Sequence, residues 1–291
     1  PEAPVPIVDI TSKKHKLGGA ANVAANIKNL GGTPILCSVI GKDQIGDIFI
    51  SLLNKIDIST HNILQSSNRI TTNKIRVIGN NHQMLRVDEE IKTELDKDQH
   101  KVFILLNNIF ENEKIDCVLL QDYDKGILNE SMINYITITA NSLNIPIIVD
   151  PKKINFSFYK NITLFKPNFK EFKESINIVN SNKLELLRNG SLELHKKGIE
   201  IVFITLSENG IFVSYKKDNI IISKIIPATI RDISDVSGAG DTVASVVSML
   251  LNDIDIEEIA KISNMAGGIV CEDIGVIPIN KNKLLNEYYE K

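Results

Sequence analysis

The chain has 291 residues, 43% hydrophobic and 24% charged, which is ordinary for a folded globular protein and enough for one large α/β domain or two smaller ones. Its 33 Lys plus Arg against 36 Asp plus Glu leave a formal charge of -3, which gives no electrostatic case for a nucleic-acid-binding face but leaves room for a basic pocket around a small anion. Cys37, Cys117 and Cys271 lie in or beside apolar segments without zinc-site spacing, and no apolar run approaches bilayer length, so a reduced, cytoplasmic chain without a membrane partner is expected.

Pro1 to Pro6 cannot begin a regular strand or helix interior, and the first residue is not Met, so the natural chain is expected to extend upstream. Val5 to Ile10 is a short extended run. Leu17-Gly18-Gly19 leads into an alanine-rich helix, Ala20 to Leu30, which Gly31-Gly32 stops. A strand from Thr33 to Ile40 and a helix from Gly46 to Lys55 follow, the alternation of a βαβ chain. Between Arg69 and Asp88 the pattern changes to two short strands, Thr71 to Ile78 and Gln83 to Val87, joined by Gly79-Asn80-Asn81. Neither is the continuous apolar run of a strand covered on both faces. They read as a small appendage over the main domain, with an ordinary edge hairpin as the alternative.

The main pattern resumes with a helix from Lys97 to Asn112, a strand from Cys117 to Gln121, a helix from Asn129 to Leu143 and a strand from Ile145 to Val149. After the short Thr163 to Phe165 come a helix within Ser181 to Lys197 and a strand from Ile201 to Leu206, with Ile211 to Tyr215 antiparallel to it or its neighbour. Ile220 to Ile226, a long helix from Thr242, another from Ile256 to Gly267 and a polar helix after Pro278 complete the pattern. No internal repeat or linker interrupts it. The expected architecture is one principal domain carrying a small cap, residues 5–16 and 69–90, with the strands ending near Gln121, Val149 and Leu206 parallel in one central sheet.

Ligands of such sheets collect beyond the carboxyl ends of the strands. There the sequence places Asp122 with Lys125, Asp150 with Lys152, and Asn168 with Glu171. Each pair alone reads as an ordinary loop cluster, but their shared placement suits phosphoryl transfer, which needs ligands for hydrated magnesium and positive charge near the migrating group. The most specific stretch is Asp235-Val236-Ser237-Gly238-Ala239-Gly240-Asp241-Thr242. Gly238 and Gly240 allow backbone conformations that side chains forbid, and successive N–H groups at a helix start cradle an anion. A carboxylate at Asp241 repels a phosphate, so it needs another task, and taking the proton of an attacking hydroxyl is one. A glycine turn with Asp241 as a helix cap is the plain alternative.

Gly238-Ala239-Gly240-Asp241, with Gly18-Gly19-Ala20-Ala21-Asn22-Val23-Ala24, resembles the two signatures of ribokinase-type (PfkB) carbohydrate kinases. Lys74-Ile75-Arg76-Val77, Gln83-Met84-Leu85-Arg86-Val87-Asp88, Asp122-Tyr123-Asp124-Lys125-Gly126, Asp150-Pro151-Lys152 and Pro167-Asn168 are similar to strings of the heptose 7-phosphate kinases within it, and run through essentially the whole chain. The resemblance implies an α/β, ribokinase-like fold: a central, mainly parallel sheet flanked by helices, with a small β cap. It implies ATP-dependent phosphorylation of the anomeric C1 hydroxyl of D-glycero-β-D-manno-heptose 7-phosphate, in ADP-heptose and lipopolysaccharide inner-core precursor synthesis.

By the same resemblance Asp241 is the base, and Gly238, Ala239 and Gly240 form the anion hole. Gly18, Gly19 and Asn22 lie against sugar hydroxyls. Arg76, Arg86, Lys125 and Lys152 are the candidate cations for the sugar's own phosphate, with solvated surface charge the plain alternative for each, and Asp88 is the candidate to hold a hydroxyl or Arg86. Ser207, Gly210, Asn264 and Gly267 face ATP, Asn168 and Glu171 organise Mg2+ through water, and Asp235 is the candidate for K+. Exposed cap strands imply a homodimer. The family's usual first core strand, with its Asp, has no counterpart before Pro1, and no nucleotidyltransferase string follows Lys291, so this stretch is expected to carry kinase activity alone. A kinase for another sugar or sugar phosphate, and a nucleotide- and sugar-binding protein of this fold without turnover, are the alternatives.

Overall fold

The computed structural model describes residues 9–79, 82–176 and 182–290. The start of the Val5 to Ile10 run, Asn80-Asn81 of the hairpin turn and Ser181 lie outside these residues. Residues 9–18 form no strand or helix.

Helix α1 (Ala20–Leu30) is entered through Gly19 at φ 57° and ends at Gly31, whose left-handed φ of 99° lets its N–H reach the last carbonyls. Strand β1 (Ser38–Gly41) is shorter than the expected Thr33 to Ile40 and pairs in parallel with β2 (Ile63–Ser66), which the alternation pattern did not reveal. Between them α2 (Gln44–Lys55) begins before Gly46 because Asp43 caps it, accepting the Gly46 N–H at 2.8 Å. Strands β3 (Asn73–Gly79) and β4 (His82–Glu89) form a separate antiparallel ribbon, the small cap. Its register pairs Lys74 with Asp88 and Arg76 with Arg86, which puts these four on one face. Ile75, Val77, Leu85 and Val87 therefore share the other.

The central sheet has six strands: β5 (Val118–Gln121), β6 (Ile147–Asp150), β7 (Leu164–Phe165), β8 (Ile201–Thr205), β9 (Ile211–Lys217) and β10 (Ile220–Ile226). Their order is β10-β9-β8-β7-β6-β5, with β5 to β8 parallel and β9 antiparallel to both neighbours, so the strands at Gln121, Val149 and Leu206 run together as expected. Side chains alternate across it. Ile147, Val149, Phe165, Val202, Ile204 and Phe212 face α4 (Glu130–Ser142) and α6 (Lys183–Lys196), where Met132, Ile133, Ile136, Leu187 and Leu194 cover them. Ile148, Leu164, Phe203, Ile211 and Val213 face α7 (Ala239–Leu250) and α8 (Ile256–Cys271), against Val243, Val247, Ile259 and Ala260. Burying each such side chain contributes about 1.5–3 kcal/mol, which explains the near-continuous apolar strands. Helix α3 (Gln99–Asn112) joins the first layer, and α9 (Lys281–Tyr289) packs beyond α8.

Two helices differ from the expected limits in ways that matter. Helix α7 begins at Ala239 rather than Thr242, so Gly240 and Asp241 belong to its first turn. Helix α8 continues through Gly267-Gly268 to Cys271. These glycines are there for packing: a Cβ on Gly267 would stand 3.3 Å from Val243, and one on Gly268 would stand 2.6 Å from Arg231. A short helix, α5 (Phe169–Ser175), was not anticipated; Asn168 and Glu171 form its capping box.

Candidate active site

The parallel order of β5, β6 and β7 brings their carboxyl ends side by side. Gln121 and Asp150 are register partners, and the Lys166 N–H donates to Val149 O at 2.8 Å. Facing them is the start of α7. Gly238, at φ 87°, is its N-cap, and a Cβ there would meet Asn22 Nδ2 at 3.2 Å. Above exposed Gly240 the space is open: a Cβ would find within 4 Å only Lys166 Nζ, at 3.9 Å. First-turn N–H groups on one side and a buried ammonium on the other make a cradle suited to a phosphoryl group.

Asp241 lies in that first turn. Its Oδ2 accepts from Asn22 Nδ2 at 2.8 Å and its Oδ1 from the Tyr123 hydroxyl at 2.5 Å. Asn22 is itself held by α1, since Asn26 Nδ2 donates to Asn22 O at 2.8 Å, and Asn26 Oδ1 accepts from Ile279 N and Thr242 Oγ1. From Tyr123 the network continues through Gln121, whose Nε2 donates to the Tyr123 hydroxyl at 3.2 Å and to Asp150 Oδ2 at 2.8 Å. Lys166 closes it on Asp150 at 3.1 Å. Burial pushes the Asp241 carboxyl above its ordinary range and Asp150 adds to this, while Tyr123, Asn22 and Lys166 oppose it. Burial and the charge of Asp241 hold the Tyr123 phenol far above its ordinary range, so it remains a donor.

Sequence reasoning named Asn22 and Asp241 but missed Tyr123, Gln121 and Lys166 as members of this group. Their signal was present at the strand ends, yet only the sheet order shows that they meet. Asp122, named as a strand-end acid, has a structural task instead: it accepts from Asp124 N, Asn155 Nδ2 and the Tyr159 hydroxyl at 2.8–3.0 Å, fastening the loops after β5 and β6.

Asn168 and Glu171 meet as a reciprocal pair at the start of α5, each accepting the other's backbone N–H at 2.9 Å. Glu171 also pairs with Lys152. Among the described residues no cluster of three or more His, Cys, Asp or Glu could hold a metal ion. The Glu171 carboxylate and the Asn168 amide are oxygen donors of the kind Mg2+ could take, directly or through water.

Two of the residues expected on the nucleotide side converge on Ile226-Pro227. A Cβ on Gly210, φ 88°, would lie 2.1 Å from Ile226 O, and Asn264 Nδ2 donates to Ile226 O at 2.9 Å and Pro227 O at 3.2 Å. Ser207 starts the same loop and its carbonyl accepts the Gly210 N–H. Gly267 lies farther along α8, 3.9 Å from Ala239 O by its would-be Cβ. Asp235 accepts Ser237 N and Gly275 N, both at 2.9 Å. Burial acts upward on its carboxyl, but these bonds and the charge of Arg76 hold it below the ordinary value.

Arg76, which exerts that charge, lies on the polar face of the cap with Lys74, Arg86 and Asp88. Arg76 has no ion pair among the described residues, whereas Arg86 Nε lies 3.1 Å from Asp88. Lys125 pairs with Glu90 at 3.0 Å, and Arg69 donates to Ile91 O, Thr93 O and Lys125 O at 2.7–3.0 Å, fastening the base of the cap to the loop after β5. Lys152 is instead engaged with Glu171. Gly18 is exposed with open space around its Cα, and Gly19 lies against the Tyr123 ring.

The description "pfkB family carbohydrate kinase" matches residues 4–283. The chain is 38% identical over 293 residues to the bifunctional protein HldE of Aliarcobacter butzleri (strain RM4018), covering 100% of this chain and 59% of that protein. It is 36% identical over 277 residues to the bifunctional protein HldE of Helicobacter pylori (strain J99 / ATCC 700824), covering 94% and 58%. The chain thus spans 58–59% of the length of these curated relatives. Phosphofructokinase-2 from Escherichia coli, in complex with substrates and products, shares the fold with a TM-score of 0.76 at 19% identity, over 94% of this chain and 87% of that one. Ribokinase of Arabidopsis thaliana complexed with ribose and ATP does so with a TM-score of 0.69 at 18% identity, over 91% and 86%.

Proposed function

We propose that this chain, which belongs to the pfkB family of carbohydrate kinases, phosphorylates the anomeric C1 hydroxyl of D-glycero-β-D-manno-heptose 7-phosphate, in the route to ADP-heptose and the lipopolysaccharide inner core. Membership makes it an ATP-dependent carbohydrate kinase, and the fold implies Mg2+-dependent transfer. One observation carries the reading of the reaction: Asp241 stands in the first turn of α7, beside an open cradle bounded by Gly240 and the Lys166 ammonium.

In this reading ATP lies along Ser207, Gly210, Asn264 and Gly267, with its terminal phosphoryl group in the cradle of Gly238, Ala239 and Gly240. Mg2+, near Asn168 and Glu171, neutralises phosphate charge when bound. The sugar lies against Gly18, Gly19 and Asn22. Asp241 takes the C1 hydroxyl proton while the sugar oxygen bonds to the phosphorus and the bond to ADP breaks. Lys166 and the α7 N–H groups stabilise charge on the group in transit.

The sugar's own phosphate falls to the polar face of the cap. Arg76 is the cation with no ion pair there among the described residues, Arg86 and Lys125 are its neighbours, and guanidinium groups grip phosphate in bidentate fashion. Lys152 supplies charge from the Glu171 side. Asp235 is the candidate carboxylate for K+. On the cap's apolar face Ile75, Leu85 and Val87 are 43–56% exposed, which supports a homodimer joined through the cap.

The test is a substrate panel with ATP: heptose 7-phosphate, unphosphorylated heptose, fructose 6-phosphate and ribose, with the product phosphate assigned by NMR. Preferred turnover of heptose 7-phosphate to a 1,7-bisphosphate is expected. Turnover of ribose or fructose 6-phosphate with none of heptose 7-phosphate would move the assignment to that sugar, and ATP binding with no turnover on any would favour a binding protein.

A further inference from the structure

Tyr123 stands between the glycine pair at the entry of α1 and the carboxylate at the entry of α7, and neither role assigned above includes it. We infer that Tyr123 is a positioning residue for the transfer step: its phenol donates to Asp241 and aims that carboxylate at the sugar hydroxyl. The inference rests on the reading of Asp241 as the proton acceptor.

The direction of the hydrogen bond follows from its surroundings. Gln121 Nε2 donates to the Tyr123 oxygen at 3.2 Å, which leaves the phenol's own proton to point at Asp241 Oδ1, 2.5 Å away. Gln121 is set in turn by Asp150, which accepts from the same Nε2 at 2.8 Å. On the other side Asn22 takes Oδ2 at 2.8 Å. With one donor on each oxygen the carboxylate cannot turn without losing a bond, and each oxygen keeps a lone pair for a substrate hydroxyl. The ring is fixed too. Gly19, at φ 57°, leaves its face open, and a Cβ there would press on Tyr123 Cε2 at 3.3 Å. One reason for glycine at this position is therefore the tyrosine.

Burial and Asp150 favour the protonated carboxyl at Asp241, and the groups that oppose them are Tyr123, Asn22 and Lys166. A protonated Asp241 cannot accept the sugar's proton. Removing the phenol subtracts one of the three opposing influences, so the carboxyl moves upward and more of the enzyme is inactive at a given pH.

Tyr123→Phe keeps the ring against Gly19 and deletes only the donor. It is measured in the full chain beside Asp241→Asn, with circular dichroism to check folding, reading kcat, KM for each substrate and the pH dependence of kcat. The expected result is a kcat lower by roughly 10- to 100-fold, as for a hydrogen bond to a charged group. KM for ATP stays nearly unchanged, and the acidic limb moves up by about one pH unit. A Tyr123→Phe enzyme with wild-type kcat and pH profile overturns the inference. So does a change confined to KM for the sugar, which would make Tyr123 a substrate contact. Wild-type turnover in Asp241→Asn would instead defeat the underlying reading of the base. If Tyr123→Phe fails to fold, Gln121→Leu, which frees the phenol to turn, should shift the acidic limb the same way by a smaller amount, and no shift would overturn the inference.

Discussion

Asn22, in the first turn of α1, donates a 2.8 Å hydrogen bond to Asp241, in the first turn of α7 and 219 residues further along the chain. Two helix starts are thus tied together at the carboxylate proposed as the base. Asn22 is 1% exposed, so no water substitutes for it.

Asn22→Asp tests that tie. Two carboxyls at hydrogen-bond distance share one proton, and the second ionisation is pushed up by repulsion. Turnover at neutral pH should fall sharply and recover in part as pH rises, with the acidic limb of kcat shifted up by about one unit or more. A wild-type pH profile would show that Asn22 does not act on Asp241.

Lys166 should matter in two separable ways. It is 2% exposed and pairs with Asp150, 8% exposed, so Lys166→Met leaves a buried carboxylate without its cation, costing about 3–5 kcal/mol of stability. Loss of the charge beside Gly240 should also lower kcat by roughly 10²- to 10³-fold. Adding Asp150→Asn removes the orphaned charge and should restore much of the stability but none of the turnover. Denaturant unfolding read beside kcat checks both. Recovery of turnover in the double variant would mean that Lys166 serves the fold alone.

Much of this site was legible before the fold was known, and the limits of that legibility have a physical origin. The Gly238 to Asp241 stretch is local: glycines, a carboxylate and an apolar helix lie within one turn of each other, so their proximity needs no sheet. The cap was legible because its strands lack the apolar runs of β6 and β8. Tyr123 and Gln121 come from the end of β5 and Lys166 from the end of β7, and they join one network only through Asp150 at the end of β6, the strand between them. No spacing along the chain announces that neighbourhood. Lys125 and Lys152 read as free cations for the same reason, since Glu90 and Glu171 reach them only through the fold.

Arg86→Ala should separate substrates rather than lower every rate. Arg86 is exposed on the polar face of the cap with Asp88 at 3.1 Å, so its loss leaves the central sheet intact. Removing the proposed charge-assisted contact to the remote phosphate should raise KM for heptose 7-phosphate by roughly tenfold or more, with little change on unphosphorylated heptose. An equal effect on both sugars would make Arg86 a structural residue of the cap.

Asp241→Asn opposes catalysis and stability in one residue. The amide keeps the size of the side chain, and it can accept from Asn22 through its oxygen while its nitrogen turns to the Tyr123 oxygen. Turnover should fall by roughly 10²- to 10⁴-fold, the loss expected for a general base, with nucleotide affinity nearly unchanged. Stability should move the other way. The folded carboxyl titrates above its ordinary 3.8, mainly through burial, so the unfolded chain gives up its proton first and the fold is penalised as pH rises. Below that ordinary value both states are protonated and the penalty is absent; above the folded value it is complete. Relative to wild type, Asp241→Asn should therefore gain stability at neutral pH and lose that gain as pH falls through the carboxylate range. Turnover, nucleotide binding and denaturant midpoints measured at pH 7 and in acid give all three readings. Near-normal turnover would remove Asp241 as the base, and an unchanged or lower midpoint at pH 7 would mean that its hydrogen bonds outweigh the cost of burying its charge.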